Sequence, residues 1–355
     1  MHVLGTYGGA MIDWDVALKT AERMVPPGPA LSAAEVDEVI GDLRAAAHAA
    51  EGPVRSFTGL APKPAAETPV LIIDRARWVE ANLASSRVLL DPVLTKLQKS
   101  DRVPSGLAAS VGESINGMEI GALLSFMATK VLGQFEPFGS GAGRLLLVAP
   151  NIVHAERQLG VDAHDFRRWV CLHEETHRVQ FTAVPWLGEH LRSLIAEFAD
   201  ATELDAAALR KLLASGIGEI IRIVRGVSDA SLMDVLQNDA QRAVVDKVTG
   251  VMSLLEGHAD VVMDGVGPEV IPSVVEIRRA FERRRTGSGG LDRIIRRLLG
   301  LEAKMRQYRD GAAFVRSVTE QVGHDGFNAV WASADNLPSR SEIVAPQTWV
   351  HRVHG

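Results

Sequence analysis

The residues of this chain best suited to chemistry stand in one run, Trp169-Val-Cys-Leu-His173-Glu174-Glu175-Thr176-His177-Arg178-Val179-Gln180-Phe181. Histidines four apart on a helix lie one above the other on the same face, so two imidazoles can converge on a single ion. Glu174 follows the first histidine and stands near that face, where its carboxylate can reach a water at the metal without ligating the ion. Zinc lowers the pKa of such a water towards neutrality and polarises a carbonyl, while the carboxylate takes and returns the proton. A pattern this short arises by chance in on the order of a few per hundred chains of this size, and the plain alternative is two ordinary histidines with acidic neighbours. Its setting favours the metal, because the run sits in a helical stretch with Trp169, Val170, Leu172 and Val179 on its other faces.

A catalytic zinc usually has three protein ligands and one open position. The third is sought in Met252-Ser-Leu-Leu-Glu256-Gly-His258-Ala-Asp260-Val-Val-Met263, a strongly apolar helix interrupted by carboxylates. A carboxylate on an apolar face costs several kcal/mol unless it has a partner, and a metal supplies one. Asp260, one turn beyond Glu256, could accept the free ring N–H of a liganding histidine and fix its tautomer. His258 competes for the third position, but it points roughly 200° away from Glu256 around the helix, so the two cannot both face one ion. Glu256 is favoured because the Glu256/Asp260 pair accounts for two unexpected carboxylates and His258 for none.

The elements that must position these groups are mainly helical. Apolar spacing predicts helices at about Trp14–Met24 and, from a capping box of Ser32 and Glu35, through Ala50. A Pro- and Ala-rich stretch over Gly59–Pro69 reads as a linker. Val70–Ile73 then leads into a helix near Arg75–Leu90, and another apolar helix follows over Ile115–Lys130. Val131–Phe135 and Arg144–Val148 read as the strands of a hairpin, the second closed by Pro150. Asp162 and Asp165 stand at capping distance for a helix that carries the HEETH run and stops at Pro185. Further helices are expected at Trp186–Phe198, Ala206–Ser215, Ile217–Val227, Asp239–Asp264 and Ser273–Arg284. The last is a long one over Leu291–Gln321, beyond a flexible break at Arg285–Gly290. The expected fold is mainly α with a small antiparallel β element. Residues 1–68 form an N-terminal helical segment packed on a main domain, residues 69–355, that binds the metal.

Composition narrows the function classes. Nearly half of the 355 residues are hydrophobic, which suits a globular chain with a substantial core. A formal charge of −6 gives no general attraction to nucleic acid or an anionic membrane. The single cysteine, Cys171, cannot form an intrachain disulfide and reads as a buried packing residue, since it points away from His173. No basic start followed by a sustained apolar stretch marks a signal peptide, and no run reaches membrane-spanning length, so a cytoplasmic protein is expected. Arginines gather at Arg278, Arg279, Arg283, Arg284, Arg285, Arg293, Arg296 and Arg297; a solvated helix pair with interleaved acids is favoured over an anion site. The terminal WVHRVHG, with His351 and His354, reads as a frayed tail.

HEETH with a later E-x-x-x-D helix resembles the zincins whose third ligand is glutamate. More closely, the chain is similar to an actinobacterial family of zincin-like hydrolases, known as zinc-dependent metalloproteases or as proteins associated with deazaflavin-coenzyme biosynthesis. The resembling segments are LGQFEPF (132–138), LLLVAPNI (145–152), LHEETHRVQF (172–181), LLEGHADVVMD (254–264), RRLLGLEAKMRQYRDGAAFV (296–315) and FNAVWASADNLPSRSEI (327–343). The resemblance implies a mostly helical zincin-like fold, one zinc on His173, His177 and Glu256, and Glu174 as general base. It also implies a strand edge that binds extended peptide, for which Arg144–Val148 is the candidate. An oxyanion-stabilising residue is sought among Tyr308, His258 and Arg178, with Tyr308 first because tyrosine is so rare here. The substrate expected is a peptide or small amide. The rival reading is a metal-binding protein of zincin fold that serves a coenzyme pathway without cutting peptides.

Overall fold

The computed structural model describes residues 12–61, 68–98, 107–138, 143–201, 239–286 and 301–355. Helix α1 (Trp14–Met24) starts where Asp13 accepts from Val16 N–H at 2.9 Å. Helix α2 (Ala33–Thr58) starts at the capping box of Ser32 and Glu35, which satisfies donors that a helix end leaves unpaired. Strand β1 (Val70–Ile73), helices α3 (Arg75–Gln98) and α4 (Leu107–Ala128), and strands β2 (Gly133–Glu136) and β3 (Arg144–Val148) follow.

The three strands form one sheet in the order β1-β3-β2. The β2/β3 pair is antiparallel, with Gly133 opposite Leu147, as the hairpin pattern predicts. β1 adds to the other side of β3 in parallel, with Val70 opposite Leu145, so the sheet is mixed rather than purely antiparallel. β3 is central and Leu145–Val148 are buried, which is why its sequence is continuously apolar instead of alternating. A central strand has no free edge. The expectation that Arg144–Val148 would offer unpaired backbone to a peptide is therefore corrected: the edge strand next to the HEETH helix is β2. Val148 N–H donates to Leu132 O at 2.8 Å, so hydrogen-bonded pairs fall at Gln134/Leu146 and Glu136/Arg144. The main-chain groups of Gly133 and Phe135 then point away from β3.

Pro150 does more than close β3. It occupies the first turn of a helix absent from the sequence reading, α5 (Ala149–Leu159), where its missing N–H costs nothing. Helix α6 (Ala163–Ala183) carries HEETH, begins at the Asp162 cap with Asp165 N–H donating at 2.9 Å, and ends before Pro185. Beyond it come α7 (Trp186–Ala201), α8 (Asp239–Val270), α9 (Val274–Thr286) and α10 (Leu301–Asn328). The chain closes with α11 (Arg340–Val344) and α12 (Pro346–His354). The C-terminus is thus not a frayed tail, since Trp349 is fully buried and Arg352 pairs with Glu342. The helices expected at Ala206–Ser215 and Ile217–Val227 lie outside the described residues, as do Arg293, Arg296, Arg297 and residues 287–290 of the break expected over Arg285–Gly290, whose first two residues instead end α9. Within the rest of the arginine group, Arg278 pairs with Asp264. Among the described residues no helix is long and apolar enough to cross a membrane.

Helix α6 runs through the core between α2 and α8. Phe166, Cys171, Leu172 and Val179 share one apolar cluster with Leu43 and Val54 of α2 and Leu254 and Val262 of α8. Cys171 packs as expected, fully buried with its thiol on the Leu43 carbonyl, and burial holds its pKa far above the usual thiol range. Helices α8 and α10 cross at Gly257 and Gly311, where a Cβ on Gly257 would lie 2.2 Å from the Gly311 carbonyl carbon. This contact sits beside Glu256 and sets α8 against α10. Gly257→Ala is expected to lower the unfolding free energy by about 3 kcal/mol, measured by urea unfolding, because the obstruction is backbone rather than a movable side chain.

Candidate metal centre

The fold brings together the two histidines of α6 and the glutamate of α8. Ligand-type atoms of His173, His177 and Glu256 all lie within 4.8 Å of one another. The ring Nε2 atoms are 3.3 Å apart, and Glu256 Oε2 stands 3.6 Å from His173 Nε2 and 3.8 Å from His177 Nε2. Tetrahedral zinc with bonds of about 2.0–2.1 Å places neighbouring donors about 3.4 Å apart, so the spacing and the N, N, O donor set both fit that ion. His258 goes elsewhere: it is buried against Phe327 and Trp331, with ring centroids 5.5 and 5.4 Å away.

Local packing holds the two imidazoles. Trp169, one turn before His173, lies nearly parallel to its ring with an interplanar angle of 10°. His177 Nδ1 is 2.9 Å from Gln180 Oε1, and Gln180 Nε2 reaches the Leu255 carbonyl and His258 Nδ1, each at 3.0 Å. Asp260, expected to accept the free ring N–H of a liganding histidine, lies exposed on α8, and at His177 that place is taken by Gln180. Gln180 escaped the sequence reading; the available signal was an amide three residues after His177 on a face that is otherwise core. Of the candidates for oxyanion stabilisation, His258 is in the core. Arg178 is committed to a network, forking onto Glu175 at 2.7 Å and pairing with Glu51 at 2.9 Å. The side chain of Tyr308 lies outside the described residues.

Glu174 is not one of the converging donors. It is buried under β2, where a Cβ on Gly133 would fall 2.4 Å from Glu174 Cγ, so only glycine lets the strand lie this close to the carboxylate. Burial pushes its pKa up to about 7, with Glu256 adding to the rise and His177 opposing it. Burial, reinforced by His177, pushes His173 down to about 4, which keeps its lone pair free. For His177 burial disfavours the charge, but Glu256 and Glu174 outweigh it and the pKa rises. A buried carboxylate, Glu174, and a partly buried one, Glu256, beside two imidazoles make a setting that a cation would neutralise.

These shifts have a consequence for stability. A folded-state pKa raised from 4.5 to about 7 means the folded protein is penalised once Glu174 ionises, so the loss grows from pH 4.5 and is complete above 7. In metal-free protein, Glu174→Gln is expected to raise the unfolding free energy at pH 8 by on the order of 3 kcal/mol. The gain should disappear near pH 4.5, as read by urea unfolding at the two pH values.

The site opens into a cleft of about 410 Å³ between β2, α3, α6, α7 and α8. Its walls include Leu89, Phe135, Phe138, Phe181, Leu191 and Met252, with Asn82, Ser85 and Ser86 along one side. Gln134 is pinned by Trp78 and Asn82 at 2.8–3.3 Å, which keeps β2 against α3. A model of zincin-like metallopeptidases matches residues 12–350, nearly the whole chain. The chain belongs to the zincin-like metallopeptidase family. This zincin-like chain is also similar to a crystal structure from Chloroflexus aurantiacus, described provisionally as a hydrolase with a novel fold. The identity is 29% and the TM-score 0.70, covering 97% of this chain and 99% of that one. Comparison with curated proteins gives no match. Family and neighbour support a zinc hydrolase in general, and the family implies a metal of the kind the His-His-Glu group suits.

Proposed function

We propose that this zincin-like protein hydrolyses amide bonds, with peptide as the substrate class, using one zinc on His173, His177 and Glu256 and Glu174 as general base. The observation that carries the reading is the convergence of three ligand atoms beside a buried carboxylate that is not one of them. Bound zinc would acidify a water and polarise the scissile carbonyl.

The chain's own residues supply the rest. Glu174, poised near neutrality by burial, takes one proton from the attacking water as the oxygen bonds to the carbonyl carbon. The same proton passes to the departing nitrogen as the C–N bond breaks, so the carboxylate ends as it began. The outward main-chain groups of Gly133 and Phe135 can pair with an extended peptide, adding a strand to the sheet edge beside Glu174. Apolar walls at Leu89, Phe138, Phe181, Leu191 and Met252 suit uncharged, bulky side chains on that peptide. Tyr308 is the residue we assign to the oxyanion, on the ground that tyrosine occurs only twice in the chain.

The test pairs elemental analysis with cleavage of a peptide library. One equivalent of zinc is expected, with cleavage that a chelator abolishes and added zinc restores. Zinc-loaded protein that cuts no peptide or amide overturns the hydrolase reading; protein that takes up no zinc overturns the metal assignment.

A further inference from the structure

Behind the metal ligands, three polar side chains form a chain whose hydrogen-bond direction follows atom by atom. Gln180 Nε2 lies 3.0 Å from the carbonyl oxygen of Leu255, a group that can only accept, so this is the amide's donor end. The same nitrogen is 3.0 Å from His258 Nδ1, which must then accept the second amide hydrogen. Gln180 Oε1 is therefore the atom 2.9 Å from His177 Nδ1, and because that oxygen cannot donate, Nδ1 carries the proton. A neutral His177 is left presenting the Nε2 lone pair towards His173 and Glu256.

We infer that Gln180 is a positioning residue for the metal, acting at two places at once. It holds His177 in the tautomer that can ligate. Through the Leu255 carbonyl it also ties the residue next to Glu256 to α6, setting the distance between the helices that supply the ligands. His258 locks the arrangement, because an amide whose second hydrogen is already held cannot turn over and present N–H to His177. Gln180 and His258 are both buried and neither lines the cleft, so they act through the ligands and not on substrate.

The inference rests on the metal reading above, but its first test does not need the ion. Side-chain ¹⁵N NMR of histidine-labelled, metal-free full-length protein at pH 9 is expected to show His177 with its proton on Nδ1. Free neutral histidine favours Nε2–H instead. The second test is zinc affinity by chelator competition. Gln180→Met, which keeps the length but removes the amide, is expected to bind zinc about 10–100-fold more weakly. His258→Asn places an amide oxygen where Nδ1 accepts and should stay within about three-fold of the unaltered protein, whereas His258→Leu should fall towards Gln180→Met. An Nε2–H tautomer in a chain that binds zinc, unchanged affinity in Gln180→Met, or His258→Asn as weak as His258→Leu overturns this inference alone. Failure of the unaltered chain to bind zinc overturns the metal assignment and this inference with it.

Discussion

Glu174→Gln is expected to retain zinc and to lose about 10²–10⁴-fold in kcat, with KM changed little. The carboxylate is not among the three converging donors, so its loss leaves the His173, His177 and Glu256 set intact. Glutamine has the same shape, and the close approach of Gly133 to Cγ and Cδ is satisfied equally by either residue. What disappears is the ability to take a proton, which a neutral amide lacks. The pH profile gives a second readout. A general base must be ionised, so activity of the unaltered protein should fall as pH drops through the Glu174 pKa. Burial sets that pKa at about 7 without a cation, and a bound dication would lower it, so the acid limb belongs at or below about 7. In Glu174→Gln the limb should vanish with the activity. Turnover equal to that of the unaltered enzyme would remove Glu174 from the mechanism.

Glu256→Ala is expected to weaken zinc binding at least about 100-fold, on the reckoning that roughly 10–16 kcal/mol of zinc binding is shared among a few ligands. Hydrolysis should fall with occupancy and recover partly in excess zinc. Glu256 is the α8 donor in the group and stands within 4 Å of both imidazoles. It also leads the influences that raise the His177 pKa, so in the metal-free variant that histidine should titrate at lower pH than in the unaltered protein. Chelator competition gives the affinity and histidine NMR the titration. Undiminished zinc affinity would show that the third ligand is another residue.

The same two residues mark how far the sequence could be read. Glu174 and the histidines were legible because helical period is a short-range property: residues four apart share a face wherever the helix ends up. Glu256 was legible more indirectly, as a charge that an apolar run could not hold without a partner. Its choice over His258 is an argument about cost; the fold brings Glu256 to the two histidines and sends His258 into the core, with α8 set against α10 by the backbone contact of Gly257 with Gly311. That contact joins segments more than fifty residues apart, and nothing in the local pattern announces it. The deep site of His258, held by Phe327, Trp331 and Gln180, is likewise made by distant segments.

The sheet shows the same division. Both strands of the hairpin could be read from composition and turns, but the edge available to a substrate depends on a strand from residues 70–73, which occupies the far side of β3. Helix caps are set by neighbours a few residues away, so the sequence determined them, together with the kind of chemistry the HEETH run can perform. Which polar groups would meet behind the metal, which strand would face the cleft, and which side of α8 would turn to α6 depend on packing between distant segments. Those only the tertiary structure decided, because side chains acquire such partners only when the segments that carry them are brought together.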